Sequence, residues 1–391
     1  MISVEEALDR VLALARPMGV EEVPLAEAHG RWLAHAAVAR RDQPPFDASA
    51  MDGYAVAGPA PLAARFRVIG EAGAGHGFAG HLAPGECLRI FTGAPVPQGA
   101  TRVVLQENVQ RDGEIITIAE TSENDNIRLR GSDFAAGAEV GPRRLSANDL
   151  ALLAAMNVPR LTVRKKPELA IIATGDELVM PGEEPGPDQI IASNSFAIKA
   201  LAEMAGARVR LLPIARDTEA SLRAVFELAR GADLVVTIGG ASVGDHDVVA
   251  RLAESLGLDR DFYRIAMRPG KPLMAGRLHG APMLGLPGNP VSAIVCAHLF
   301  LLPLIRAMQG DPTPRPQPRH AMLACDTGPT GPRTHYMRAH LSAGPNLPHI
   351  TPFRDQDSAL LGVLSQADAL LIRPLGDGPR AAGERVEYLP I

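Results

Sequence analysis

Carboxylates beside glycine-rich backbone follow two apolar runs of the chain. The segment TGDE (174–177) comes directly after the run 169–173, and GGASVGDHD (239–247) follows the run 234–238. Both runs have the length and composition of buried strands. Ligands of open α/β sheets bind beyond the carboxyl ends of the strands. The spacing therefore predicts a site at one sheet edge, where carboxylates hold a divalent metal beside a phosphate or another oxyanion.

Two further segments would bring positive charge to the same edge. MRPGKP (267–272) carries two cations at a predicted turn, and LPGNP (286–290) opens a long apolar helix. Asn289 as N-cap and Pro290 at the first helical position would aim free backbone N–H groups at an anion. Each segment alone has an ordinary structural explanation, such as a glycine turn or a helix start. All four segments at one edge favour a functional site.

A serine nucleophile is the competing interpretation of the same glycine-rich segment. GASVG (240–244) fits the G-x-S-x-G elbow of α/β hydrolases, with Ser242 as nucleophile. Asp245 and Asp247 crowd this motif, which suits a metal or phosphate loop better. His298 lies on the apolar face of the segment 291–302, which is typical of a core residue. The hydrolase interpretation is therefore the weaker one.

The elements that must position these residues are predicted by hydrophobic periodicity. Predicted strands at 169–173, 209–214 and 234–238 alternate with predicted helices at 195–205, 219–229 and 248–256, which indicates a parallel α/β sheet. A β-rich module precedes it, with predicted strands 65–69, 87–91, 102–109 and 115–118 and a hairpin turn at Asp112-Gly113. Capped helices are predicted to start at Ser3 and Ser146, and the second is predicted to pack on the first.

Prolines at alternate positions of DPTPRPQP (311–318) predict an extended linker before a small C-terminal β domain. The predicted domains are therefore a linking domain (1–43 with 141–166), a β-rich domain (44–140), an α/β domain (167–312) and a C-terminal domain (313–391).

Composition excludes several classes of protein. A formal net charge of -5 and an aromatic content of 4% give no basic, stacking surface for nucleic acid. Cys87, Cys296 and Cys325 are too few and too widely spaced for a zinc site. The N-terminus does not resemble a signal peptide, and no run approaches the about 18 to 20 apolar residues that span a bilayer. We therefore expect a soluble, cytoplasmic protein.

Seven segments follow one another along nearly the whole chain: SAMDGYAV (49–56), RIFTGAPVP (89–97), NIRLRGSD (126–133), ATGDEL (173–178), GGASVGDHD (239–247), PGKP (269–272) and GLPGNPVSA (285–293). Several of them lie in the β-rich module, where the residues alone are equally consistent with plain loops. Together, and in this order, the seven segments resemble the molybdopterin molybdenumtransferase family over nearly the whole chain.

The resemblance implies a multidomain α/β and β protein. Its parts are a parallel α/β domain like that of MogA and MoaB, a β-rich domain, a helical and extended linking domain and a small C-terminal β-barrel-like domain. It also implies a homodimer whose active sites lie between the α/β domain of one subunit and the β-rich domain of the other. The implied reaction is Mg²⁺-dependent insertion of molybdate into adenylylated molybdopterin with release of AMP. Transient contacts with the adenylyltransferase and with downstream molybdoenzyme maturation proteins follow from this role.

The resemblance also assigns site residues. Asp176 and Asp247 are the expected metal ligands. The expected catalytic residues are Asp52, Thr92, Asp133, Glu177, Asp217 and Lys271. The expected binding residues are Gly175, Gly239, Gly240, Ser242, Gly244, Arg268, Gly270, Pro287, Gly288, Asn289, Arg338 and Ser358.

Two alternatives belong to other functional classes: a scaffold that has lost catalysis, and the adenylyltransferase of the preceding step. The intact carboxylates and Lys271 argue against the first. The modules on either side of residues 168–310 argue against the second.

Overall fold

The computed structural model describes residues 1–239, 255 and 257–391. The chain divides into two compact units. One contains Met1–Glu21 and Arg164–Ile391, and the other contains Glu22–Val163. The helix predicted at 248–256 lies outside the described residues apart from Ser255.

The first helix, α1 (Val4–Ala13), begins at the N-cap Ser3, whose Oγ accepts a hydrogen bond from the N–H of Glu6 at 3.0 Å. Its buried face, with Leu8 and Val11 at the centre, belongs to the core of the unit that contains the α/β sheet. The prediction that the second helix packs on α1 joins residues of the two different units and stays a prediction. Amphipathic periodicity shows that a face is buried, but it does not identify the surface that buries it. The four-domain division stays a prediction.

Between Val20 and Arg164 the chain is mainly β. Six strands form a mixed sheet in the order β7-β4-β6-β5-β9-β8, in which only β5 and β6 are parallel. The elements are β1 (Val20–Pro24), β2 (Ala37–Val38), β3 (Ala48–Ser49), β4 (Gly53–Val56), β5 (Arg65–Ala72), β6 (Glu86–Ile90), β7 (Arg102–Leu105), β8 (Val109–Asp112), β9 (Ile115–Ile118), β10 (Ile127–Arg128), β11 (Glu139–Val140), α2 (Ala147–Ala155) and β12 (Arg160–Arg164).

Two details of this β-rich segment test the sequence predictions. The hairpin at Asp112-Gly113 is confirmed, since β8 pairs with β9 and Gly113 has a φ of 57°. The single strand predicted at 102–109 is wrong, because the 3₁₀ turn Gln106–Asn108 separates β7 from β8. The three polar residues of this turn lie between two β-type runs, and the prediction joined the two runs into one strand.

The helix α2 begins where it was predicted. Ser146 is its N-cap and forms a capping box with Asp149, whose Oδ2 accepts a hydrogen bond from the Ser146 N–H at 2.8 Å. The buried Leu153 and Met156 belong to a cluster within the segment Glu22–Val163.

The parallel α/β sheet is confirmed. Its strand order is β16-β13-β17-β21-β20-β18, and the first four strands are parallel. At the other end β20 pairs antiparallel with β21, and β18 pairs antiparallel with β20. The elements are β13 (Glu168–Ala173), β14 (Leu178–Val179), β15 (Ile190–Ile191), α3 (Asn194–Met204), β16 (Arg208–Leu211), α4 (Glu219–Leu228), β17 (Leu234–Ile238), β18 (Leu258–Arg264), β19 (Met267–Arg268), β20 (Pro272–Leu278) and β21 (Ala281–Leu286).

A long helix, α5 (Pro290–Met308), follows β21 and contains a π-helical turn at Ala297–Leu301. It is long and apolar enough to cross a membrane, with a mean hydropathy of 2.0 in its 18-residue window. The expectation that no run approaches this length was therefore wrong. His298 and Pro303 interrupt the apolar sequence, but they do not interrupt the helix. Since 72% of the window is buried inside the protein, α5 has the character of a core helix.

The C-terminal segment forms a closed barrel. The strands pair in the ring β23-β24-β22-β26-β25-β23, and the short strand β19 adds to β23 in parallel. The predicted small β-barrel-like domain is confirmed. Its elements are β22 (Arg319–Leu323), β23 (Thr334–Ser342), β24 (His349–Pro352), α6 (Leu361–Leu364), β25 (Ala369–Arg373) and β26 (Arg385–Pro390).

Candidate functional site

The turn after β13 connects the ends of three parallel strands. The N–H of Thr174 donates to the carbonyl of Ile238 at 2.9 Å, and the N–H of Gly175 donates to the carbonyl of Ala215 at 3.1 Å. Thr174 and Gly175 are buried, whereas Asp176 and Glu177 after them are exposed. The sheet therefore places two carboxylates at its carboxyl edge, as the sequence predicted.

Asp176 and Asp217 are brought together. The N–H of Asp217 donates to Oδ1 of Asp176 at 3.1 Å. Arg216 Nη1 donates to the carbonyl of Asp176 at 2.8 Å and to the carbonyl of Leu178 at 3.1 Å, so its guanidinium spans Glu177. Among the described residues, Oδ2 of Asp176 accepts no hydrogen bond. Sequence reasoning missed Arg216, whose only signal was its position beside Asp217.

Two glycines let the backbones approach each other at this edge. Gly239 has a φ of 93°, and a Cβ there would lie 2.6 Å from the carbonyl oxygen of Thr174. Gly175 has a φ of 146°. The N–H of Gly239 donates to the carbonyl of Leu286 at 3.1 Å, so neither glycine N–H is left to bind a phosphate. The predicted site residues Gly240, Ser242, Gly244 and Asp247 lie outside the described residues.

The start of α5 differs from the expectation. Pro290 has no N–H, and the N–H of Val291 donates to the carbonyl of Ser358 at 3.1 Å, so this helix terminus does not present a free Val291 N–H to an anion. The Asn289 side chain does not cap the helix but donates from Nδ2 to Ser358 Oγ at 3.1 Å. Asn289 and Ser358, both predicted site residues, are thus in contact.

The loop before α5 is also connected to the start of α3. Asn194 Nδ2 donates to the carbonyl of Gly288 at 2.7 Å. Gly288 is exposed and Pro287 before it is buried. The loop is therefore held from two sides.

Arg338 is 1% exposed and shapes the loop that carries Ser358. Its Nη1 donates to the carbonyl of Leu360 at 3.1 Å, and Nη2 donates to the carbonyl of Asp355 at 3.2 Å. The Gln356 side chain accepts from the Arg338 N–H and donates to its carbonyl, each at 2.9 Å. Burial lowers the pKa of Arg338. The hydrogen bonds of Arg338 thus hold the backbone of the loop that carries Ser358.

Positive charge is concentrated around β19 and β23, where Arg268 pairs with His335 in parallel register. Arg268 is exposed and Lys271 is half-buried. Neither forms an ion pair with a carboxylate in the part of the chain that the structure describes. Burial, followed by the charge of Arg268 and three other arginines, lowers the pKa of His335 to about 4. Gly270 is required here, because it has a φ of 99° and its Cβ would lie 2.5 Å from Cys296 Sγ.

In the segment Glu22–Val163, Asp52 and Thr92 are brought together. Oδ1 of Asp52 accepts hydrogen bonds from the N–H of Thr92 at 2.8 Å and from its Oγ1 at 2.7 Å. These bonds lower the pKa of Asp52. Asp133 is exposed, and its N–H donates to the carbonyl of Gln43 at 3.0 Å.

Asp47, five residues before Asp52, has a structural role. Its Oδ1 accepts the N–H of Arg130 at 2.7 Å and thereby ties two loops together.

The described residues contain no group of three or more His, Cys, Asp or Glu side chains that could hold a metal ion. Mg²⁺ is commonly bound by one or two carboxylates together with waters and phosphate oxygens of the substrate. Asp176, with one open oxygen at an exposed turn, fits this kind of site.

Three family models match the chain in order. The MoeA N-terminal region (domain I and II) matches residues 2–157, the probable molybdopterin binding domain matches 170–307, and the MoeA C-terminal region (domain IV) matches 320–391.

Relatives and a solved structure resemble the whole chain. The molybdopterin molybdenumtransferase of Nostoc sp. is 34% identical over 95% of this chain and 88% of its own length. Molybdopterin molybdenumtransferase 2 of Mycobacterium tuberculosis is 36% identical over 89% of this chain and 92% of its own. The crystal structure of the molybdopterin biosynthesis MoeA protein from Pyrococcus horikosii has a TM-score of 0.82 and 31% identity, and covers 100% of this chain and 99% of its own. The chain therefore belongs to the molybdopterin molybdenumtransferase family.

Proposed function

We propose that this protein inserts molybdenum from molybdate into adenylylated molybdopterin, with Mg²⁺, and releases AMP. Membership of the family over the full length supports the reaction class. The observation that carries the proposal is the Asp176 turn. An exposed carboxylate is held there by the Asp217 N–H and keeps one oxygen for a ligand, at the sheet edge where α/β proteins bind nucleotides.

In this proposal the metal would be held or oriented by Asp176, Glu177, Asp217 and Asp247. Mg²⁺ held there would offset the negative charge of the phosphate oxygens. The protein orients these carboxylates. Arg216 fixes the backbone on both sides of Glu177, and the paired strands β13 and β16 fix the two loops that follow them. Gly175 and Gly239 allow the backbones of the two turns to approach each other closely. Pro287 and Gly288 form the neighbouring side of the proposed site.

The cations of the proposed site face the oxyanions. Arg268 and Lys271, without carboxylate partners among the described residues, neutralise phosphate or molybdate. Gly270 gives the turn between them its shape. Ser358 is presented to the same anion by the loop that Arg338 organises, and Asn289 donates to its hydroxyl. The role of Arg338 in this proposal is therefore indirect.

Asp52, Thr92 and Asp133 complete the site from the second subunit of a homodimer. The two hydrogen bonds from Thr92 lower the pKa of Asp52 and so favour its ionised form, and its Oδ2 accepts no hydrogen bond within the described ranges. An ionised carboxylate with one open oxygen can orient a water molecule or a metal-bound ligand.

The proposed reaction requires no protein sulfur. Cys87 and Cys296 are buried, and burial raises the pKa of both thiols, that of Cys87 to about 12. Neither is suited to bind molybdenum as a thiolate. In this reaction the dithiolene of the pterin supplies the sulfur ligands. We place the reaction in the cytoplasm, after the adenylyltransferase and before the proteins that mature molybdoenzymes.

Reconstitution tests this proposal. Purified protein, adenylylated molybdopterin, molybdate and Mg²⁺ should yield a product that activates a molybdenum-free apoenzyme. Omission of molybdate should abolish the activation. A protein that binds the pterin but never yields an activating product would instead be a scaffold, and one that forms adenylylated molybdopterin from ATP would be the adenylyltransferase.

A further inference from the structure

Arg89 lies beside the turn that carries Asp52. It is on β6, directly opposite Tyr54 of β4 in the antiparallel register. Its guanidinium carbon is 5.2 Å from the centre of the Tyr54 ring and 4.7 Å from the centre of the Phe91 ring. Contacts at these distances are cation–π interactions, and two of them restrict where the guanidinium can lie.

Both ends of the guanidinium hold the Asp52 turn. Nη1 donates to the carbonyl of Gly53 at 3.0 Å, and Nη2 donates to Oε1 of Gln106 at 2.5 Å. The N–H of Gln106 in turn donates to the carbonyl of Asp52 at 3.2 Å. The planar fork of an arginine can satisfy two acceptors in fixed directions, which the single ammonium of a lysine cannot do.

The charge of Arg89 is not neutralised by an ion pair with any described residue. It is held by neutral oxygens and aromatic rings. The two hydrogen bonds from Thr92 are the main cause of the lowered pKa of Asp52, and the charge of Arg89 lowers this pKa further. We propose that Arg89 is a positioning residue for Asp52, whose guanidinium holds the turn and supplies a fixed positive charge beside the carboxylate. This inference rests on the proposed function only for its effect on activity.

The first test is a double-mutant cycle on AMP release under single-turnover conditions. Arg89→Met should lower the rate at least about tenfold, since small displacements of a catalytic group are costly. In an Asp52→Asn background the same change should add little, because the two residues act as one unit. Equal losses in both backgrounds would overturn the inference. Arg67→Met removes an exposed arginine of the same unit, ion-paired to Glu86, and should leave the rate unchanged.

The second test does not depend on activity. The titration of Asp52 is followed by NMR in protein with ¹³C-labelled aspartate carboxyls, assigned with Asp52→Asn. Arg89→Met should raise the pKa of Asp52, whereas Arg89→Lys, which keeps the charge, should raise it less while still lowering the rate. An unchanged titration in Arg89→Met would overturn the inference. If the wild-type protein releases no AMP, the proposed function fails, and this titration still decides the role of Arg89.

Discussion

The N–H of Asp217 donates a hydrogen bond to Oδ1 of Asp176 at 3.1 Å. Asp176 follows β13 and Asp217 follows β16, and these two strands pair in parallel. The bond therefore joins two loops at one edge of the sheet and gives the Asp176 carboxylate a fixed direction. A functional carboxylate is most effective when such supporting contacts hold it in place.

Replacing Asp176 by alanine should lower turnover by about 10²- to 10³-fold, as expected when a group that stabilises the transition state is lost. The carboxylate is exposed, so the melting temperature should change little. Steady-state assays at saturating Mg²⁺ and calorimetry measure the two effects. Asp259→Ala is the matched control, because Asp259 is also exposed but lies on β18, at the opposite end of the sheet from β16. Near-normal turnover of Asp176→Ala would remove this residue from the site.

Mixing two inactive variants should restore activity if the site is shared between subunits. Asp52→Asn alters one half of each site, and Lys271→Ala alters the other half. A mixed dimer then contains one site with both residues intact, so random exchange should recover about a quarter of the wild-type activity. The variants are unfolded and refolded together, and AMP release is measured against each variant refolded alone. No recovery, despite mixed dimers detected by mass, would show that each site lies within one subunit.

Thr92→Val should shift the pH profile. Valine keeps the backbone N–H but removes the hydroxyl that donates to Asp52 at 2.7 Å. Hydrogen bonds to the ionised carboxylate lower the pKa of Asp52, so losing one of them raises this pKa. Asp52 is then protonated at a higher pH, and the acidic limb of the kcat/KM profile moves to higher pH. Thr117→Val, in β9, should leave the limb in place. Superimposable acidic limbs for Thr92→Val and the wild type would contradict a role for ionised Asp52.

Arg338→Met should destabilise the barrel, whereas Ser358→Ala should not. Removing the buried guanidinium leaves the carbonyls of Asp355 and Leu360 without their donor, at a cost of about 2 to 4 kcal/mol. Ser358 loses one hydroxyl at a half-buried position. Denaturant unfolding measures both free energies. Comparable small losses would show that Arg338 does not organise the loop.

The regular elements were predictable because their signals are local. β17 has the predicted bounds, and α3 and β13 begin within one residue of them, since apolar spacing and caps act over a few residues. The strand at 102–109 and the length of α5 were not predictable in this way. The polar turn Gln106–Asn108 ends a strand that the pattern extended. His298 and Pro303 do not end a helix that the pattern interrupted.

The candidate site was predictable as a set of segments but not as a set of contacts. The fold explains why Asp176 and Asp217 meet, since parallel strands bring their following loops together. The bond between Asn289 and Ser358 joins residues 69 positions apart, and no local pattern encodes it. The same is true of Arg338, whose burial and bonds to the Asp355 loop depend on closure of the barrel.

The most direct test of the central proposal is the amount of AMP released from adenylylated molybdopterin by the purified protein with Mg²⁺, with and without molybdate. The proposed function predicts AMP release that depends on molybdate and is stoichiometric with the molybdenum-containing pterin formed. Absence of AMP release under both conditions, with the protein folded and the substrate intact, would contradict it.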